Sequence, residues 1–267
     1  MSISSGKKGT AMVTGASAGI GAVYAQRLAE RGYDLLLVAR DKTKLEALAA
    51  RLSSEYGVHS EVLAADLINQ QDLVQVEQRL ASDNAITLLV NNAGMSVAGD
   101  FLDNDIGSVQ KMIMLNVLAP TRLAHAAANA FKIRKQGTLI NVASVLSLVH
   151  EMANGAYNGT KSFVLTLTRS LEASLQPHGV RVQAVLPGLT RTEIFERSGS
   201  SVDELPPHMV MEVDTMVDAA LAGLDLGESV TIPSLEKIEN WQTYDAARAA
   251  LLPDLSLSQS ASRYRQG

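Results

Sequence analysis

Short runs that are almost wholly apolar alternate along the chain with longer segments whose apolar residues recur every three or four positions. The first kind of run predicts buried strands and the second amphipathic helices. Thr10–Thr14, Asp34–Ala39, Ser60–Ala65, Ile86–Val90, Thr138–Val142 and Val180–Leu186 are the strand-like runs. Leu35-Leu36-Leu37-Val38 is apolar at every position, as a strand covered on both faces must be. Helical spacing follows nearly every run: up to Arg31 after the first, then over Asp41–Glu55, Asn69–Ala81, Ala119–Arg134, Tyr157–Leu175 and Val213–Leu224. Asp105–Met114 reads as a separate helix, with Asn116 and Pro120 marking an interruption before Ala119–Arg134, because proline cannot donate a backbone hydrogen bond. Ser229–Ile232 predicts a last strand and Trp241–Leu252 a last helix, followed by a poorly ordered or docking tail from Leu255 to Gly267.

Strands alternating with helices predict an α/β fold: a parallel sheet with right-handed crossovers and helices on both faces. In such a sheet ligands gather outside the carboxyl ends of the strands. Gly15, Asp66, Asn91 and Ser144 all fall at predicted strand ends.

Composition narrows the picture. The 267 residues are 46% hydrophobic and 19% charged, ordinary for a globular chain. No linker-like stretch divides them, so one domain over 1–267 is expected, with a core at 10–186 and a lid, last strand and extension at 187–267. A net charge of −5 argues against a nucleic-acid partner. The chain has no cysteine, which excludes disulfides and thiolate chemistry. The polar N-terminus lacks a signal-peptide core, and the longest uncharged run, Gln136–His150, is too short and polar to span a bilayer. A cytoplasmic protein without a membrane partner is expected.

Candidate chemistry centres on Tyr157 and Lys161. Four residues apart on a helix, they share a face. A phenol titrates near about 10, and a neighbouring ammonium favours its anion, so the pair is expected to carry a lowered phenol pKa. Ser144 ends a strand 13 positions upstream of Tyr157. The turn Gly15-Ala16-Ser17-Ala18-Gly19-Ile20-Gly21 sits between a strand and a helix, the context of a pyrophosphate-binding turn. Taken alone it could equally be a helix cap. Arg40 stands at the end of the second strand, where an NAD-binding unit would carry a carboxylate. It suits a 2′-phosphate, or is a solvated strand-end charge. The irregular segment Leu189–Met211 reads as a lid or a surface excursion.

With these pieces in order, the chain resembles a classical short-chain dehydrogenase/reductase. The matching residues are Thr14 to Gly21, Asp66-Leu67, Asn91-Asn92-Ala93-Gly94, Asn116, Ser144, Tyr157 with Lys161, and Pro187-Gly188 with Thr190 and Thr192. The resemblance implies a seven-stranded, doubly wound Rossmann sheet, mostly parallel, and a nicotinamide dinucleotide, with NADP favoured over NAD by Arg40. It implies that Asn116, Ser144, Tyr157 and Lys161 are catalytic, with Ser144 polarising a carbonyl, Tyr157 giving the proton and Lys161 lowering its pKa. Asn116 would keep a water in line. Gly15, Ser17, Gly19, Ile20, Gly21, Arg40, Asp66, Leu67, Asn92, Ala93, Gly94, Pro187, Gly188, Thr190 and Thr192 would surround the cofactor, joined by Tyr157 and Lys161. It also implies a homodimer or homotetramer. Pro233, in place of a glycine-rich last strand, weighs against the tetramer.

Leu146, Leu148, Val149, Met152, Leu189, Ile194, Phe195 and Met209 would surround the substrate, which suits a hydrophobic carbonyl compound or alcohol. His150 and Glu151 read as surface residues. A cofactor-sensing or scaffold protein without turnover is the competing function, and dehydratase or epimerase chemistry a third.

Overall fold

Seven strands form one sheet in the order β3-β2-β1-β4-β5-β6-β7, and every adjacent pair is parallel. They are β1 (Thr10–Thr14), β2 (Asp34–Ala39), β3 (Ser60–Ala64), β4 (Ile86–Asn91), β5 (Gly137–Val142), β6 (Val180–Val185) and β7 (Val230–Thr231). The computed structural model describes residues 8–149, 151, 155–193 and 202–265. The chain divides into two compact units, Met1–Pro233 and Ser234–Gly267, and the sheet belongs wholly to the first.

Alternation along the strands explains the two cores. On β1, Ala11 and Val13 face one side and Met12 the other; on β2, Leu35 and Leu37 oppose Leu36 and Val38. One core packs them against α1 (Gly19–Glu30), α2 (Lys42–Tyr56) and α7 (Val213–Leu226), through Tyr24, Leu28, Leu45, Leu52 and Leu221. The other packs them against α3 (Gln70–Ser82), α5 (Ala119–Arg134) and α6 (Gly155–Leu175), through Leu73, Val76, Leu123, Phe131 and Leu175. This is the three-layer Rossmann arrangement expected. The strand order reverses between β1 and β4, the point where open sheets of this kind part to admit a ligand.

Three expectations shift. No interruption separates α4 (Ile106–Ile113) from α5; the chain passes through a π-helical turn at Met114–Leu118. Pro120 has no amide to give the Asn116 carbonyl four residues back, and the widened turn accommodates this, with the Ala119 amide donating to the Met114 carbonyl. The last strand shrinks to Val230–Thr231, ending two residues before Pro233. The last helix, α8, runs Ile238–Ala249 in the second unit and buries no residue.

Tyr24 is fully buried on α1, yet its hydroxyl has no hydrogen-bond partner among the described residues. A buried, unpaired hydroxyl costs about 1–3 kcal/mol. Tyr24→Phe is therefore expected to raise stability by about 1 kcal/mol, read as a higher midpoint in urea at unchanged slope. A lower midpoint would show that the hydroxyl is satisfied in solution.

Candidate active site

The glycine turn after β1 is shaped by contacts that leave no room for side chains. Gly15 has φ +67, and a Cβ on Gly21 would stand 2.3 Å from the Gly15 carbonyl oxygen and 2.6 Å from Asn92 Nδ2. Asn92 holds the turn from the neighbouring strand end, its Nδ2 donating to the Thr14 carbonyl at 3.0 Å. The Thr14 hydroxyl accepts from the amides of Asn92 and Ala93 at 3.0 and 3.1 Å and donates to the Val90 carbonyl at 3.2 Å. The ends of β1 and β4 are thus locked together.

Helix α1 then starts without a side-chain cap, at Ala18, and has no acidic residue in its first turn. Helices α2, α3 and α4 are capped by Asp41, Asn69 and Asp105. An uncapped N-terminus behind a tight glycine turn offers free amides and a positive dipole end to an anion. The cradle fits a dinucleotide's pyrophosphate.

The other expected cofactor residues gather along the same edge, with differences. Ser17, Ile20, Gly94 and Gly188 are partly buried. Arg40 is exposed and makes no ion pair among the described residues. Asp66 stays partly exposed while its carboxylate accepts the Ile68 amide at 3.1 Å. The Leu67 side chain belongs to the second core, which leaves its backbone for any cofactor contact. Pro187 and Thr190 are buried beside Gly188, whose carbonyl accepts the Thr190 hydroxyl at 3.1 Å. Thr192 packs over the glycine turn, its Cγ2 3.4 Å from where a Gly19 Cβ would be. The loop after β6 therefore closes onto the loop after β1.

Ser144, Tyr157, Lys161 and Asn116 converge. Ser144, just beyond β5, is buried and caps a single 3-10 turn at Val145–Ser147 by accepting the Leu146 amide at 3.1 Å. Its hydroxyl also lies 3.4 Å from the Pro187 carbonyl. Lys161 Nζ donates to the Val142 carbonyl at 3.1 Å and stands 5.7 Å from the centre of the Tyr157 ring. It also lies 3.6 Å from where a Gly94 Cβ would be. The Asn116 side chain exchanges two hydrogen bonds with the Met95 backbone, at 2.9 and 2.8 Å, and donates to Thr160 Oγ1 at 3.2 Å. The side chain is a clamp, and the main-chain carbonyl is the group that Pro120 leaves without an amide four residues on.

The phenol pKa moves opposite to expectation. Burial pushes Tyr157 up to about 12, with hydrogen bonding from Ser144 drawing it partly back. Burial lowers Lys161 to about 8. Desolvation penalises both charged forms and is the largest cause of each shift.

Of the expected substrate-facing residues, Leu146, Leu148, Val149 and Leu189 are partly buried and Met209 is half exposed. Met152, Ile194, Phe195 and His150 lie outside the described residues; Glu151 is exposed. Thr14 opens the matched glycine motif and Thr160 lies between Tyr157 and Lys161, but no role in the site was expected of them, nor of Asn141 and Thr168. Their signal was available: polar residues inside or beside strand and helix segments that must be buried. Among the described residues no cluster of acidic or histidine side chains could hold a metal, and no helix is long and apolar enough to cross a membrane.

The model of the short chain dehydrogenase family matches residues 9–203. The chain belongs to that family. A short-chain dehydrogenase of Sphingobium yanoikuyae, solved with NADPH, is 49% identical with a TM-score of 0.94, covering 96% of this chain and all of that one. A bulky-bulky ketone specific alcohol dehydrogenase of Comamonas testosteroni is 44% identical with a TM-score of 0.90, covering 97% and 99%. The very-long-chain 3-oxoacyl-CoA reductase of Podospora anserina is 32% identical over 235 residues, 86% of this chain and 67% of that protein. The duck (Anas platyrhynchos) reductase of the same name is 30% identical, covering 81% and 69%. The chain thus spans about two thirds of the length of these reductases, and it is an oxidoreductase of the short-chain type.

The Lys161 shift has a consequence for stability. With its folded pKa near 8 against 10.5 unfolded, the protonated lysine costs folding energy below pH 8, on the order of 3 kcal/mol. The cost disappears as pH rises from 8 towards 10.5, where the unfolded chain alone binds the proton. Lys161→Met is expected to be more stable than the parent at pH 7, with the difference shrinking between pH 8 and 10. Urea midpoints measured across that range check it, and a pH-independent difference would contradict it.

Proposed function

We propose that the protein is an NADP(H)-dependent reductase that interconverts a hydrophobic ketone or aldehyde and its alcohol. The observation that carries this is the meeting of Ser144, Tyr157 and Lys161 on the edge that also holds the glycine cradle. Ser144 donates to the carbonyl oxygen, and Tyr157 gives that oxygen its proton. The nicotinamide of a dinucleotide held in the cradle would supply or accept the hydride. Lys161, held by the Val142 carbonyl, stabilises the phenolate left behind. The Asn116 carbonyl keeps a water through which the proton is replaced.

Arg40 supports NADP over NAD: it is a guanidinium without an ion-pair partner among the described residues, at the end of the strand whose tip borders the adenosine ribose in Rossmann sheets. Gly15 to Gly21, Asp66, Leu67, Asn92 to Gly94 and Pro187 to Thr192 would complete the cofactor site. The apolar loop residues Leu146, Leu148, Val149 and Leu189 support a hydrophobic substrate. The bulky ketone specificity of the Comamonas testosteroni enzyme points the same way. The protein is read as cytoplasmic and as a homo-oligomer, in keeping with Leu118 and Phe163, which stand exposed at 45% and 40% beside and on the two long helices. A single-chain mass by light scattering would sink that last point.

Two measurements test the catalytic reading. Loss of a positioned acid costs about 10²–10⁴-fold, so Tyr157→Phe should lower kcat for NADPH-dependent ketone reduction by about that factor, with NADPH affinity kept. Tight NADPH binding without turnover of any carbonyl would favour a cofactor sensor instead. Arg40→Ala should weaken NADPH by roughly tenfold or more and NADH little, the worth of a charge-assisted contact to phosphate. Equal parent affinities for the two cofactors would defeat the NADP preference.

A further inference from the structure

Charge is distributed very unevenly around the active-site edge. The described residues of the segments leaving the C-terminal ends of β4, β5 and β6, within 92–105, 143–151 and 186–212, include eight aspartates and glutamates against one arginine. That is −7 in three loops, while the whole chain carries −5, so the rest of the molecule is slightly basic. Asp100, Asp103, Asp105, Glu151, Asp203 and Glu204 are all exposed.

The described cations on or beside these loops are already engaged by carboxylates, Arg191 being counted in that balance and Lys44 lowering it by one. Arg191 is held by Asp203 at 2.6 Å and Glu212 at 3.0 Å, and Lys44 stands 3.9 Å from Glu193. Asp103 and Glu204 have no ion-pair partner among the described residues. The same loops supply the partly buried apolar side chains Leu146, Leu148, Val149 and Leu189. Apolar contact surface is thus combined with a rim of exposed carboxylates, and no described cation is left there to meet a phosphate.

We propose that this rim is a charge filter: the substrate is an uncharged hydrophobic carbonyl compound, and a polyphosphorylated carrier of the same acyl group is turned away. The proposal deepens, and rests on, the carbonyl-reductase reading above. Like charges on loops around a cleft raise a barrier to anions and leave neutral molecules unaffected, and salt screens that barrier over roughly 10 Å. The filter therefore acts on kcat/KM, and through charge rather than fit.

The test compares one 3-oxoacyl group carried as its uncharged N-acetylcysteamine thioester and as its coenzyme A thioester, at saturating NADPH. At low salt the neutral thioester should have the higher kcat/KM by about tenfold or more, and the gap should narrow as ionic strength rises towards about 0.3 M. The double variant Asp103→Asn with Glu204→Gln alters two exposed carboxylates that make no ion pair among the described residues. It should raise the coenzyme A rate several-fold and leave the neutral rate unchanged. Equal or faster turnover of the coenzyme A thioester at low salt overturns the filter, as does a ratio that neither salt nor the variant moves. In both cases turnover of the neutral thioester leaves the reductase reading standing. No NADPH oxidation with either thioester or with bulky ketones overturns both.

Discussion

Function at the upper edge of the sheet depends on how firmly α6 is fastened to the strands below it. Apolar packing brings a helix down onto a sheet but does not fix its rotation, because it has no direction. Here buried hydrogen bonds supply the direction. Asn91 and Asn141 are register partners on β4 and β5; Asn91 Nδ2 donates to Asn141 Oδ1 at 2.9 Å, and Asn141 Nδ2 to Thr168 Oγ1 on α6 at 2.9 Å. Two turns up, Asn116 reaches Thr160, whose hydroxyl donates to the Tyr157 carbonyl at 2.7 Å. Lys161 ties the same face to β5 through Val142. A slip of one residue would turn α6 by about 100° and break at once the three bonds that tie it to its neighbours, from Asn141 to Thr168, Asn116 to Thr160 and Lys161 to Val142. Such an all-or-nothing network is how a buried polar chain selects one arrangement.

That fastening explains the unusual state of Lys161. Its structural partner is a strand-end carbonyl and not a carboxylate. A carboxylate would have neutralised the ammonium's field locally. A carbonyl anchors it and leaves most of that field directed at its surroundings, including the Tyr157 ring 5.7 Å away. Burial makes the arrangement costly, as the lowered lysine and raised tyrosine pKa values show. The same burial makes the attraction stronger whenever negative charge forms on the phenol. Resting-state pKa values and stabilisation of a developing phenolate are separate quantities, and the site is organised around the second.

Much of this was legible in the sequence because it follows from local rules. Continuous apolar runs such as Leu35–Val38 gave the doubly covered parallel strands, and Gly15, Gly19 and Gly21 marked a turn in which the backbone must come close to itself. What escaped were features set by competition between distant groups. Asn116 and Pro120 were correctly singled out, but whether the freed carbonyl ends a helix or widens it depends on the flanking helices being held in line by their packing. Spacing alone put Tyr157 and Lys161 on one face, yet the direction of their pKa shifts depends on how deeply the loops after β4, β5 and β6 enclose them. Leu67 shows the same limit: the family resemblance implied a cofactor contact, while packing sends its side chain into the core and leaves the backbone for that contact.

Net charge illustrates why totals mislead. A chain of −5 looks mildly acidic and uninformative, but the number conceals a slightly basic body and acidic loops after β4 and β6, with Glu151 alone between them. The edge of the sheet faces two tasks that conflict in a uniform field, holding a polyanionic dinucleotide and admitting an uncharged carbonyl compound. Dividing the edge resolves the conflict. The half over β1 and β2 offers free amides at the start of α1 and Arg40, which has no ion pair among the described residues, both short-range devices that act at contact. The half over β4 to β6 carries its carboxylates on exposed loops, where their influence extends about a Debye length and reaches molecules before they dock. An anion that is recognised by fitted amides can overcome that outer repulsion through contacts made once bound. An anion with no such contacts waiting cannot, and this separates the cofactor from a phosphorylated substrate without any residue having to distinguish them by shape.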